Sequence, residues 1–240
     1  MSAVERESLT VESLTGAVPE RELWAVPEAQ PTTPAHLSWR RHVKRGIDIT
    51  AVLVLLPLVL PVMLVIAALI KWKSPGPVFF KQERIGRNGE PFQMLKFRTM
   101  YVDATERLRA DPVLYTKYVA NDFKLPADED PRIAPLGRFL RRTSLDELPQ
   151  LFNVLRGDMS LVGPRPIVPG EITCYGDLAG WYLSVRPGIT GRWQCDGRSN
   201  IRYPERAEMD AEYVETWSLR QDALILLKTI PSVLRRHGAH

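Results

Sequence analysis

Three patterns of apolar and polar residues succeed one another along the chain. Residues 1–37 lack sustained periodicity and mix prolines with Ser, Thr and Glu, which predicts an unfolded tail with room for a short helix near 4–14. Residues 49–70, ITAVLVLLPLVLPVMLVIAALI, contain no charge. From about residue 76 apolar positions recur at short spacings. PVFFKQERIG and EPFQMLKFRTM flank Arg87-Asn88-Gly89 and read as two short strands around a turn. Helical periodicity follows over 103–120, 135–143, 147–156, 205–217 and 219–236. The pattern predicts an α/β fold, mostly helical, in a compact domain over 76–240. An apolar helical segment over 38–75 and the tail over 1–37 precede it.

The 22 uncharged residues rise about 33 Å as one helix, close to the hydrocarbon thickness of a bilayer. A core helix apolar on every side is out of place in so small a body, so membrane insertion is predicted. A simple span carries its excess of Lys and Arg on one flank. Here both flanks are basic: Arg40, Arg41, Lys44 and Arg45 before, Lys71 and Lys73 after, with Trp72 as an interfacial anchor. Pro57 and Pro61 stand near the centre, where each removes an N–H and crowds the carbonyl four residues back. Two basic ends and a broken middle predict a re-entrant helix-break-helix that returns to the face it entered, with the break at Pro57–Pro61. A kinked full span is the alternative. Residues 222–236, DALILLKTIPSVLRR, fit either an amphipathic helix at the membrane interface or a helix packed on the core.

The net charge of +4 divides unevenly. The tail carries −4, from six Glu against Arg6 and Arg21, so the remainder carries +8. A basic body suits an anionic partner: a phosphorylated substrate, an acidic lipid or nucleic acid. The basic residues gather beside apolar, membrane-type sequence rather than alternating with exposed aromatics, which argues against nucleic acid. Cys174 and Cys195 stand alone, without the spacing of a zinc site or a disulfide framework. The polar, acidic first residues do not resemble a cleavable signal peptide.

The sharpest chemistry lies in SLDELPQ, residues 144–150, behind RFLRRT. Ser144-x-x-Glu147 matches a helix capping box, and Asp146 is a second candidate N-cap that suits Pro149 better. Either placement puts Asp146 and Glu147 at a helix start, where the dipole and the nearby arginines are expected to lower a carboxylate pKa. Beyond capping, one such carboxylate can attack phosphorus once phosphate charge is neutralised, and its neighbour can hold Mg²⁺. Arg141, Arg142 and Arg165 offer guanidinium forks that match phosphate oxygens.

KFRTM (96–100), DPRIAPLGRFLRRTSLDELPQLFNVLRGDMSLVGPRP (130–166) and RPGITGRWQCDGRSN (186–200) resemble the bacterial sugar transferases known as monotopic phosphoglycosyl transferases. The likeness runs from about Lys44 to Arg236, and the short chain is similar to the succinoglycan-type initiators of exopolysaccharide synthesis. The resemblance implies transfer of hexose 1-phosphate from a UDP-hexose, galactose ahead of glucose, to polyprenyl (undecaprenyl) phosphate. It implies Asp146 as a covalent nucleophile, Glu147 and Asp146 at Mg²⁺, ping-pong kinetics with release of UMP, and a re-entrant helix broken around Pro61. It places phosphate handling on Arg141 and Arg165, and on Lys96 unless that side chain is merely the wet face of a strand. Gln194 and Arg198 become nucleotide contacts in a tight glycine-rich loop.

The implied setting is the bacterial inner membrane, with the catalytic domain on the cytoplasmic face. Membrane lipids, downstream glycosyltransferases and a homo-oligomeric copy are the implied partners. An inactive membrane-anchored scaffold is the alternative, against which the intact Asp146, Glu147, Arg141 and Arg165 argue. Leu60 stands where many relatives place Ser before the proline, and Cys195 and Asp196 depart from the usual residues of their loop.

Overall fold

The structure is a computed structural model and describes residues 37–121, 125–196 and 201–234. The tail expected over 1–37 therefore lies outside the described residues except for Leu37, and so does Arg198.

Helix α1, Leu37–Lys73, contains both Pro57 and Pro61. The expected division into two helices is not found: the element continues through both prolines as one helix. A proline forfeits its own hydrogen bond but leaves its neighbours' in place, so an apolar helix otherwise rich in good formers absorbs the loss. One stripe of α1 faces the rest of the protein. Asp48, Val52, Met63, Ile66 and Ile70 are buried, while Leu53, Val54, Leu58, Leu64 and Val65 on the other sides are exposed. The helix is long and apolar enough to cross a membrane, and most of its surface is uncovered by protein.

The remainder is mostly helical with two small sheets. Strands β1 (Phe79–Ile85) and β2 (Pro91–Phe97) form an antiparallel hairpin, paired from Phe79↔Phe97 to Ile85↔Pro91. Their turn places Asn88 at φ 60, a left-handed conformation that Asn tolerates better than most residues. Helices α2 (Ala104–Arg109), α3 (Pro112–Ala120), α4 (Pro135–Arg142) and α5 (Gln150–Arg156) follow. The parallel pair β3 (Ser160–Val162) and β4 (Gly188–Thr190) brackets a run of 3₁₀ turns, Pro169–Leu178, and helix α6, Ala179–Leu183. Helices α7 (Arg192–Asp196), α8 (Glu205–Glu215) and α9 (Leu219–Leu234) complete the chain.

Two hydrophobic clusters include α1. Val52 packs with Met94, Leu151, Val154 and Met159. Met63, Ile66 and Ile70 pack with Phe97 and Leu140, and Leu145 and Leu148 lie against the same cluster. Polar fastenings hold the basic flank. Asp48 accepts from Ser160 Oγ at 2.8 Å and Leu161 N at 3.2 Å. Arg45 donates to the carbonyls of Val154 and Leu155, and Lys44 pairs with Asp222. Helix α9 packs on the body through Asp222 and Ile225, which are buried, while Leu219, Leu224, Leu226 and Leu227 are exposed.

Candidate active site

Asp146 and Glu147 lie in a single 3₁₀ turn, Leu145–Glu147, between α4 and α5. The predicted capping box does not form. Ser144 adopts a left-handed conformation, φ 57, and its side chain caps nothing; Pro149 takes the N-cap position of α5. The chain turns too sharply after α4 for Ser144 to reach forward. The flanking leucines sit in the apolar cluster with α1, and Asp146 is turned inward, 8% exposed.

Charged groups from β2 and α4 meet this turn. Lys96 Nζ donates to Glu147 Oε1 at 2.7 Å. Arg141 Nε donates to Thr99 Oγ1 at 2.9 Å, and its guanidinium interacts electrostatically with Asp146. Thr99 is held in turn by α4. Its carbonyl accepts from Ala134 N, and a Cβ at Gly137 would lie 2.0 Å from that carbonyl oxygen. Glycine at 137 thus lets α4 close on the strand end and brings Arg141 to the site.

Burial pushes the Asp146 carboxyl up to about 6, and the negative charge of Glu147 adds to the rise; Lys96 and Arg141 oppose it. The lowered value expected from a helix start and nearby arginines is therefore reversed. The turn is too short to act as a helix terminus, and desolvation outweighs two cations, one engaged by Glu147 and the other by Thr99.

The remaining predicted residues fall elsewhere on the same surface. Arg165 is exposed, and its guanidinium lies 5.8 Å from the Trp193 ring centroid. Between it and the carboxylates stands Arg84, which the sequence reading passed over as part of a strand. Arg84 donates to Gln82 Oε1 at 2.7 Å and to Pro166 O at 3.3 Å. Burial, then the charge of Arg165, lowers its pKa, while Glu171, Tyr182 and Glu147 oppose the shift. Strand alternation offered the signal: Gln82, Arg84 and Lys96 project from one face of the hairpin, since Phe80 pairs with Lys96. Gln194 sits in α7 with its Nε2 3.4 Å from Ile189 O and its buried Oε1 without a hydrogen-bond partner among the described residues. The structure brings Asp146, Glu147, Lys96 and Arg141 together. Arg165, with Arg84, forms a second group beside them, and Gln194 lies in α7 next to Trp193 rather than in the tight loop expected there.

A buried carboxylate, a paired neighbour and flanking cations are groups that can meet a phosphate, and they sit on a helical body that carries one long apolar helix. Residues 39–236 match the model of the bacterial sugar transferase family, and the chain belongs to that family. Among its relatives, the UDP-galactose-lipid carrier transferase of Erwinia amylovora is 44% identical over 83% of this chain, which spans 42% of that protein's length. The exopolysaccharide production protein ExoY of Rhizobium meliloti is 45% identical over 82% of this chain and 88% of its own. The UDP-glucose:undecaprenyl-phosphate glucose-1-phosphate transferase of Caulobacter vibrioides is 41% identical over 82% of this chain and 72% of its own.

Proposed function

We propose that the protein transfers hexose 1-phosphate from a UDP-hexose to polyprenyl phosphate and so begins assembly of an exopolysaccharide. The observation that carries this reading is the setting of Asp146: buried, next to a second carboxylate, and facing Lys96 and Arg141. An Oδ of Asp146 attacks the β-phosphorus of the donor. The bond from that phosphorus to the bridging oxygen breaks, UMP leaves with the electron pair, and an aspartyl phosphosugar remains. An oxygen of the acceptor phosphate then attacks the same phosphorus and displaces Asp146 as a free carboxylate. A nucleophile with a pKa of about 6 is mostly ionised at neutral pH and keeps more basicity than an ordinary aspartate.

Asp146 and Glu147 are the residues that would hold Mg²⁺. Two adjacent carboxylates suit a hard cation that completes its coordination with substrate phosphates, and among the described residues no larger cluster of ligating side chains competes. The bound ion would supply neutralisation of diphosphate charge. Lys96 and Arg141 neutralise the charge developing near Asp146, and Arg165 and Arg84 orient the nucleotide end.

The acceptor is a lipid, so the site must sit at headgroup height on the cytoplasmic face of the inner membrane. Although α1 is one unbroken helix, its contacts favour a segment held on one face of the membrane over a full span. Both its first half, through Arg45, Asp48 and Val52, and its second half, through Met63, Ile66 and Ile70, pack on one body. Leu145 and Leu148, which flank the carboxylates, join the second group. Galactose is the favoured sugar and glucose the second, following the names of the relatives. The test is incubation with UDP-galactose or UDP-glucose without acceptor. The expected result is about one UMP per enzyme and a hexose-phosphate adduct on the peptide containing Asp146, discharged by polyprenyl phosphate. Turnover that requires both substrates together and leaves no adduct would overturn the covalent route, and no UMP at all would favour the inactive scaffold.

A further inference from the structure

Helix α5 has the carboxylate site before its first turn and a different charged region beyond its last. There an open cleft is lined by Arg41, Lys44, Arg45, Arg87 and Arg186, with Asp48 as its one acid. Its inner wall is apolar, formed in part by Val162, Val185 and Trp217. None of these residues belongs to the Asp146 site. We propose that this cavity is an anion site for a phosphate ester, filled in the membrane by the headgroup of an anionic phospholipid.

The charges already present do not compensate one another. Asp48 is occupied by Ser160 and Leu161, and Lys44 is matched by Asp222. Arg45 donates to Val154 and Leu155, and Arg186 Nε donates to Gly157 O at 2.6 Å. Capping the C-terminal carbonyls of α5 explains those two arginines. It leaves the Arg87 guanidinium without a purpose: half-buried in the turn between β1 and β2, this side chain makes no hydrogen bond or ion pair among the described residues, and only its carbonyl is engaged, by Glu90 N. Burial, then the charges of Arg87, Arg45 and Arg41, lowers the Arg186 pKa against the pull of Asp48, so the cluster repels itself. An anion relieves that repulsion, and converging guanidiniums suit phosphate oxygens. Position selects the lipid. Lys44, Arg45 and Asp48 immediately precede the charge-free residues 49–70, so on the membrane reading above the cavity lies at headgroup level, with an apolar wall for the start of an acyl chain.

The test uses the full chain in neutral detergent and follows thermal unfolding against phosphatidylglycerol, phosphatidylcholine or inorganic phosphate. Phosphatidylglycerol is expected to raise the midpoint and phosphatidylcholine to leave it unchanged. Arg87→Gln should weaken the response about fivefold and Arg87→Glu remove it, as the loss of one surface cation implies. A phosphate response lost in the same variants would show that the site reads the phosphate group itself. Phosphate acting where phosphatidylglycerol does not would overturn the lipid assignment. Equal responses to the two lipids, or an unaltered response in Arg87→Glu, would overturn the site. The readout does not depend on turnover, so failure of the proposed transferase reaction is recorded separately, by UMP release in the same preparations.

Discussion

Asp146 and Asp222 are each 8% exposed, yet their surroundings are opposites. Asp222 is filled with donors: Lys44, the Tyr213 hydroxyl at 2.8 Å, and Trp217 Nε1 at 3.1 Å from both carboxylate oxygens. It ties α1, α8 and α9 together. Asp146 has Glu147 beside it and two cations that are partly engaged elsewhere. Beyond its own main-chain N–H, no hydrogen-bond donor serves it among the described residues. A satisfied carboxylate fastens; an unsatisfied one holds free energy that forming a bond to phosphorus can release.

Five experiments test that contrast. Asp146→Asn should lower UMP release by about 10⁴-fold or more, as loss of a covalent nucleophile does. The same variant should be more stable than wild type at pH 7. The folded pKa of about 6 lies above the ordinary value of 3.8, so the native state binds more protons between those values, and the ionised form costs stability above pH 6. The gain, about 2–3 kcal/mol at full size, should shrink as pH falls through 6 and vanish below 3.8. Denaturant unfolding at pH 7.5 and 4 checks it, and a destabilised Asn variant would end the contrast. Asp222→Ala should do the reverse. It leaves Lys44 and Trp217 without their carboxylate and Tyr213 with only the Val162 carbonyl, and should cost about 3–5 kcal/mol, while UMP release per folded molecule stays near wild type.

Arg141→Lys keeps the charge but loses the fork shared between Thr99 and the carboxylate region. It should lower kcat/KM by about 10–100-fold with little change in unfolding. Smallest is the effect of pH on the wild type. Below about pH 6, protonation of Asp146 should reduce kcat/KM about tenfold per unit. A profile flat down to pH 4.5 would mean that Asp146 stays ionised and that its neighbours outweigh burial.

The residues around the carboxylates were legible because they lie in contiguous runs: Lys96 and Thr99 within KFRTM, Arg141 to Glu147 within RRTSLDE. The hairpin and the longer helices followed from periodicity. The state of Asp146 was not legible, because its burial depends on Leu145 and Leu148 meeting Met63 and Ile66, some 80 residues earlier in the chain. Ser144 misled for a local reason: its pattern fits a cap, but its backbone is spent on reversing the chain. Strands β3 and β4 have three residues each, too few for alternation to register. Gly188 lies where a Cβ would come within 2.1 Å of Gly163 N, so this pairing is set by close backbone approach rather than by side-chain pattern.

The apolar stripe of α1 is a wall of the interior and not a tether attached to it. Excising residues 1–75 to obtain a water-soluble fragment would strip one side from Met94, Val154, Phe97 and Leu140 and remove the Ser74 and Pro75 carbonyls that accept from Arg98. Loss of α1 and collapse of the pocket around the carboxylates should therefore be a single event, so the shortest fragment that keeps the site is one that keeps this helix.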